Sequence, residues 1–221
     1  MIQNNTTALI LAAGDGIRLG GKPKAFIEFN GITLLEHVVV KVRQYASQII
    51  VGVREQDALK IREMFGEDIE ILIGGKTRQE TVEILARKAK NPMILIQDVA
   101  RPFTSQKLYT SVLEAAFEHG AATLSIPMKK RDSIALSDGD YLGASVPREN
   151  VVFIQSPYVF KTESLIDAIE QSKIHGWEES ATTTLLTRAG YKLKLVLGEA
   201  ANYKITYVED LQRLGDNDVS S

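Results

Sequence analysis

Apolar residues along this chain fall into two alternating patterns, short unbroken runs and longer stripes at helical spacing. Thr7–Ala13 is a near-continuous run of the length of a buried strand. Leu34, Leu35, Val38, Val39 and Val42 then recur at helical intervals and predict a helix from Thr33 to about Gln44 that faces a sheet. Thr33-Leu34-Leu35-Glu36 has the spacing of a capping box, in which hydroxyl and carboxylate satisfy each other's free N–H groups. The alternation continues with a strand at Gln48–Arg54, a helix at Asp57–Phe65, a strand at Ile69–Ile73 and a helix from Thr77 to about Ala89, opened by a second capping-box spacing at Thr77–Glu80. Met93–Gln97 is a fourth, fully apolar strand, followed by a helix at Ser105–His119 and a strand at Ala121–Pro127. This rhythm predicts an α/β fold whose central sheet is mostly parallel, with right-handed crossovers.

The pattern changes between Arg131 and Pro157. Short β-like runs at Ser133–Leu136 and Val151–Gln155 flank a turn at Ser137-Asp138-Gly139-Asp140, with no helix to cover them, which predicts a projecting β-hairpin arm over 131–157. From Lys161 the earlier rhythm returns: a helix from Thr162 to about Gln171, a loop with His175, Gly176 and the packing anchor Trp177, a helix from Ser180 to Ala189 stopped by Gly190, and a strand at Tyr191–Leu197. A last helix is expected at about Val208–Leu214, with Asp216–Ser221 frayed. His37 lies on the first helix, where packing or surface exposure accounts for it. No linker or repeat divides the 221 residues, so residues 1–221 are expected to form a single domain.

Composition narrows the function classes. At 44% hydrophobic and 24% charged residues the chain is ordinary globular material. A net charge of -2 argues against general nucleic-acid binding, and Cys 0 removes disulfides, thiol nucleophiles and thiolate metal sites. The start MIQNNTTALILAAG has no basic leader, and its apolar run is too short for a membrane span, so a cytoplasmic protein with no membrane partner is expected.

The segment Leu9–Phe26 carries the most chemistry. Gly14, Gly16, Gly20 and Gly21 let the backbone bend and present N–H groups beside Arg18, Lys22 and Lys24, an anion cradle of polyphosphate size. It is not a dinucleotide fingerprint, because the third glycine is one place late and Lys22-Pro23-Lys24 stands where the helix belongs. Arg54 also ends the second strand where that fold needs an acid, which argues against an NAD-dependent reductase. Nor is it a Walker loop, since Gly21 is followed by Lys22 and Pro23. Gly74-Gly75-Lys76-Thr77-Arg78 puts a glycine turn at a helix amino end, suited to an anion or a base edge, or simply to capping. Asp98 stands at the carboxyl end of the fourth strand, where ligands of open sheets bind; it suits Mg²⁺, or an ion pair with Arg101 that braces the turn.

Leu11-Ala12-Ala13-Gly14-Asp15-Gly16-Ile17-Arg18 with Pro23-Lys24 resembles the A-A-G-x-G-x-R…P-K signature of sugar and polyol phosphate nucleotidyltransferases. Gly74–Arg78, Asp98-Val99-Ala100-Arg101-Pro102 and Asn202-Tyr203-Lys204-Ile205-Thr206 resemble the G-G-x-x-R, D-x-x-R-P and N-x-K-x-T blocks of one branch, the 2-C-methyl-D-erythritol 4-phosphate and ribitol-5-phosphate cytidylyltransferases. The resemblance implies a Rossmann-like three-layer sandwich that transfers CMP from CTP to a polyol phosphate, most simply 2-C-methyl-D-erythritol 4-phosphate, and releases pyrophosphate. It implies catalytic roles for Arg18, Lys24 and Lys204, and nucleotide contacts at Ala12, Ala13, Gly14, Asp15, Gly16, Gly74, Gly75, Arg78, Thr81 and Asp98. It places the acceptor at Arg101, Ser133, Arg148 and Thr206, Mg²⁺ on Asp98, and the 131–157 arm in a homodimer. The sequence departs from the branch pattern at Pro23-Lys24-Ala25, Asp132-Ser133-Ile134-Ala135, Gln155-Ser156-Pro157-Tyr158, Ser180-Ala181-Thr182-Thr183-Thr184 and Ala201. These departures keep ribitol 5-phosphate or another sugar phosphate of surface-polymer synthesis open as acceptor, and also a nucleotide-binding module that has lost its chemistry.

Overall fold

The computed structural model describes residues 3–128 and 133–216. The first apolar run forms β1 (Thr6–Leu11), with all but its last residue buried. A loop carrying a small two-stranded ribbon, β2 (Glu28–Phe29) and β3 (Ile32–Thr33), leads into α1 (Leu34–Val42). The expected capping box is formed there: Thr33 Oγ1 accepts from the Glu36 N–H, and the Glu36 carboxylate accepts from the Thr33 N–H. Next come β4 (Gln48–Val53), α2 (Ala58–Phe65), β5 (Glu70–Ile73), α3 (Arg78–Ala86) and β6 (Met93–Asp98). α3 begins with the second capping box, between Thr77 and Glu80. After α4 (Gln106–His119) and β7 (Ala121–Pro127) come β8 (Ile134–Asp138), β9 (Tyr141–Val146) and β10 (Val152–Lys161). The chain then continues through α5 (Thr162–His175), α6 (Thr182–Arg188), β11 (Lys194–Leu197) and α7 (Val208–Asp216).

Seven strands make one sheet in the order β11-β7-β10-β6-β1-β4-β5. All neighbours are parallel except those of β10, which runs antiparallel to both β6 and β7. The alternating side chains of the strands feed two cores: Ala8, Ile10 and Val51 pack with α1, α2 and α4, and Leu9, Ile50 and Ile96 with α3, α5 and α6. The chain steps outward from β1 to β4 and β5, then returns to the other side of β1 for β6. That reversal opens a crevice at the carboxyl ends of β1 and β6, where Leu11 and Asp98 stand in register.

The arm differs from expectation. The partner of β8 is β9, which the sequence pattern did not indicate; Val152 onward belongs to β10 in the main sheet. All six residues of β9 are exposed or half-exposed, so it lacks the alternation that betrays a half-buried strand. Arg131 and Asp132 of the predicted arm, and 217–221 of the expected frayed end, lie outside the described residues; Asp216 is the last residue of α7. Helix α5 runs on to His175, past the expected end near Gln171, and Gly176 in the left-handed region stops it. Among the described residues no helix is long and apolar enough to cross a membrane.

Candidate active site

A cavity of about 420 Å³ sits in the crevice, walled by the loop after β1, the turn before α3, the end of β6 and Lys204. The first wall depends on Gly16, whose φ of +64° belongs to the left-handed region. Its carbonyl accepts from the N–H groups of Leu19 and Gly21 at 2.7 and 3.1 Å, closing a tight double turn. A Cβ at this position would lie 1.9 Å from the Lys22 carbonyl oxygen, so only glycine allows the loop to fold back on itself. The second wall is held by Thr81, whose hydroxyl donates to the Thr77 carbonyl and accepts from the Gly75 N–H at 3.1 Å.

Asp98 is the electrostatic centre. Its side chain is buried, yet both carboxylate oxygens meet cations: Oδ1 lies 3.2 Å from Arg78 Nη2 and Oδ2 lies 2.9 Å from Lys204 Nζ. Burial pushes the carboxyl upward, but Lys204 and Arg78 outweigh it and hold the group at about 2. The expected brace between the Asp98 and Arg101 side chains gives way to these two partners, and the Arg101 guanidinium is engaged elsewhere. Arg101 donates instead to the carbonyls of Asn202 at 2.5 Å and Ile154 at 3.4 Å. It thereby ties the end of β6 to β10 and to the segment that carries Lys204, while its Nε has no partner among the described residues.

Lys24 enters from the first loop and donates to the Ile205 carbonyl at 2.7 Å. Burial, and after it the neighbouring charges of Lys204 and Arg18, lowers its pKa to about 8. Arg18 lines the same cavity, with its guanidinium carbon over the Tyr207 ring, 5.4 Å from the centroid. Three cations from opposite ends of the chain therefore surround one space beside one buried carboxylate.

Of the residues singled out in the sequence, Ala13, Gly14, Asp15, Gly16, Gly75 and Thr81 line the cavity together with Arg18, Lys24, Arg78, Asp98 and Lys204. Ala12 lies behind it, buried, with its N–H on the Gly52 carbonyl, and Gly74 is pressed between Ala13 and Thr81. Arg101, Ser133, Arg148 and Thr206 do not line it. Sequence reasoning missed Ile17, Lys76 and Thr77, although all three stand inside quoted motifs. It also missed that Thr182 Oγ1, at the start of α6, accepts from Arg78 Nη1 at 2.8 Å. The other acid of the cavity, Asp15, is 3.3 Å from Arg54 Nη1.

No group of three or more His, Asp or Glu side chains suited to a metal ion occurs among the described residues. One buried carboxylate facing a polyphosphate-sized space is still an adequate protein share for Mg²⁺, which takes one or two carboxylates and fills its shell with water and phosphate oxygens. Asp98 fits that requirement.

A mostly parallel sheet with a cationic, carboxylate-bearing cavity at its reversal point defines an α/β protein with a site suited to a phosphorylated ligand. Residues 6–215 match the family model described as IspD: 2-C-methyl-D-erythritol 4-phosphate cytidylyltransferase. The chain is 38% identical over 205 residues to the 2-C-methyl-D-erythritol 4-phosphate cytidylyltransferase of Thermus thermophilus, covering 93% of each. It is 34% identical over 206 residues to the enzyme of that name from Deinococcus radiodurans, covering 93% of this chain and 86% of the other. The crystal structure of the Thermus thermophilus enzyme superposes with a TM-score of 0.79 at 35% identity, over 96% of this chain and 97% of that one. The chain belongs to the IspD family of cytidylyltransferases.

Proposed function

We propose that this protein transfers CMP from CTP to 2-C-methyl-D-erythritol 4-phosphate, with release of pyrophosphate, in the cytoplasm and as a step of isoprenoid biosynthesis. The observation that carries this reading is the convergence of Arg18, Lys24 and Lys204 on one cavity beside Asp98. A phosphate oxygen of the acceptor attacks the α-phosphorus of CTP; the new O–P bond forms as the bond to the leaving pyrophosphate breaks. The nucleophile is already an anion, so no general base is required. His37 is held by the Phe29 carbonyl and His175 stacks on Trp177, both spent on packing. What the reaction needs is fixed positive charge where negative charge accumulates. Lys24 and Lys204 approach from different walls, Arg18 lines the cavity beside them, and the turn Gly75–Thr77, whose N–H groups are taken by Thr81 and Glu80, offers carbonyl oxygens to the base.

Asp98 would hold Mg²⁺, which supplies charge neutralisation and orientation of the phosphates. Arg101 follows β6, Thr206 follows Lys204 in the chain, and Ser133 and Arg148 flank the β8–β9 hairpin; we assign all four to the acceptor, with Arg148 reaching across a homodimer. Support for the dimer is the hairpin itself, which exposes Leu136, Tyr141 and Leu142.

The test is pyrophosphate release with CTP, Mg²⁺ and 2-C-methyl-D-erythritol 4-phosphate, against ribitol 5-phosphate as alternative acceptor and UTP and ATP as alternative donors. Release with the first combination well above the others is the expected result. Release only with ribitol 5-phosphate would move the protein to the other branch, and CTP binding without release would mark a module that has lost its chemistry.

A further inference from the structure

Of the three cations that converge from the two ends of the chain, Arg18 is the least supported. It stands on a glycine-rich loop, is exposed, and among the described residues makes no hydrogen bond or ion pair. Among the described residues, its side chain makes a cation–π approach over the Tyr207 ring. A planar guanidinium has two flat faces and a rim of N–H groups, and these serve different contacts: faces stack on aromatic rings, the rim binds phosphate oxygens. We propose that Tyr207 is the positioning residue for Arg18, holding one face so that the whole N–H rim is presented to the triphosphate.

The backbone that carries the ring is held in place. The Tyr207 and Thr206 N–H groups both donate to Asp210 Oδ2, at 2.9 and 2.8 Å. One residue earlier, Ile205 is wholly buried, its N–H donating to the Ala100 carbonyl at 2.9 Å and its carbonyl accepting from Lys24. The segment Lys204–Tyr207 thus touches all three cations: it carries Lys204, accepts from Lys24 and stacks on Arg18. Stacking restricts an otherwise mobile side chain and reduces the ordering that binding must impose. Tyr207 contributes through its ring and not through its hydroxyl, and it acts on CTP only by way of Arg18.

The assignment rests on the CTP-dependent reading above, and direct CTP titration alongside steady-state kinetics separates the two. Tyr207→Leu removes the aromatic face at a site 54% exposed, so the melting temperature should hold. The expected result is a two- to fivefold rise in both the CTP dissociation constant and its KM, with a smaller change in kcat, which corresponds to the ~0.5–1 kcal/mol of an exposed cation–π contact. Tyr207→Phe keeps the face and should restore wild-type values. On an Arg18→Ala background, Tyr207→Leu should add nothing further. Wild-type protein without affinity for CTP would overturn the nucleotide reading and this assignment with it. Wild-type protein that binds CTP, with Tyr207→Leu equal to Tyr207→Phe or with its effect persisting in the absence of Arg18, would overturn the role of Tyr207 alone.

Discussion

Lys24 is perturbed first by its burial and then by the neighbouring cations Lys204 and Arg18. With its pKa lowered to about 8, it loses its proton within a range where an exposed lysine stays charged. Because kcat/KM reports the free enzyme, its pH profile should fall above about pH 8, and Lys24→Arg should move that limb beyond about pH 10, since guanidinium keeps its proton. A limb unmoved by the arginine would assign the titration to another group. Stability follows the opposite course. The folded pKa lies below the unfolded value, so between about 8 and 10.5 the unfolded chain binds more protons and this group's penalty is relieved as pH rises. Loss of activity in that window is therefore not loss of fold. Lys24→Ala should lower turnover by about a hundred- to a thousandfold, the usual effect of removing one preorganised charge at a developing anion, with melting little changed. Asp98 has the reverse sign. Its carboxyl is depressed from 3.8 to about 2, so its stabilising contribution is complete above about pH 4 and is lost as pH falls toward 2. Acid titration of the melting temperature should show this component in wild type and lack it in Asp98→Asn.

Local rules were written plainly enough in the sequence for most elements to be read from it. Both capping boxes are closed as their spacing implies, because a hydroxyl and a carboxylate three residues apart need nothing from the rest of the chain. The loop after β1 was also legible, since glycines and cations adjoin there. Its strictest requirement predicts that Gly16→Ala will cost about 1–3 kcal/mol, shared between stability and CTP affinity, because the left-handed turn cannot be kept with a Cβ against Lys22. Calorimetric titration and a melting curve would measure the two shares, and no change in either would contradict the turn described here. What stayed hidden depended on distant partners. Nothing near Asp98 in sequence announces Arg78 or Lys204, and nothing near Arg101 announces the carbonyls that take its N–H groups. The continuation of β10 was obscured by Ser156-Pro157, where the ladder to β7 shifts register between Gln155 and Tyr158 instead of ending. β9 was obscured by Gly143, which admits the close approach of the Leu136 carbonyl and breaks the apolar alternation.

At the scale of the whole molecule the proposed function assigns the two substrates to different parts of the architecture. It puts the donor in the cavity where the sheet reverses, between elements on both sides of β1, and the acceptor at residues toward the arm and the last loop. Replacing the β8–β9 hairpin with a short polar turn should leave CTP binding within about twofold while the sedimenting species falls from dimer to monomer and transfer to the polyol phosphate is lost. Retention of full transfer by a monomer would remove Arg148 of the second subunit from the acceptor site. The lone antiparallel strand gives this division a further meaning. β10 returns the chain to the sheet with Val152 directly opposite Pro127, so departure and re-entry are paired neighbours. Whatever lies between those two positions is a cassette with a fixed socket. Related chains can trade or lengthen it, and an engineer can graft one, without disturbing the register of the sheet, so that donor recognition and acceptor recognition can diverge along separate lines of descent.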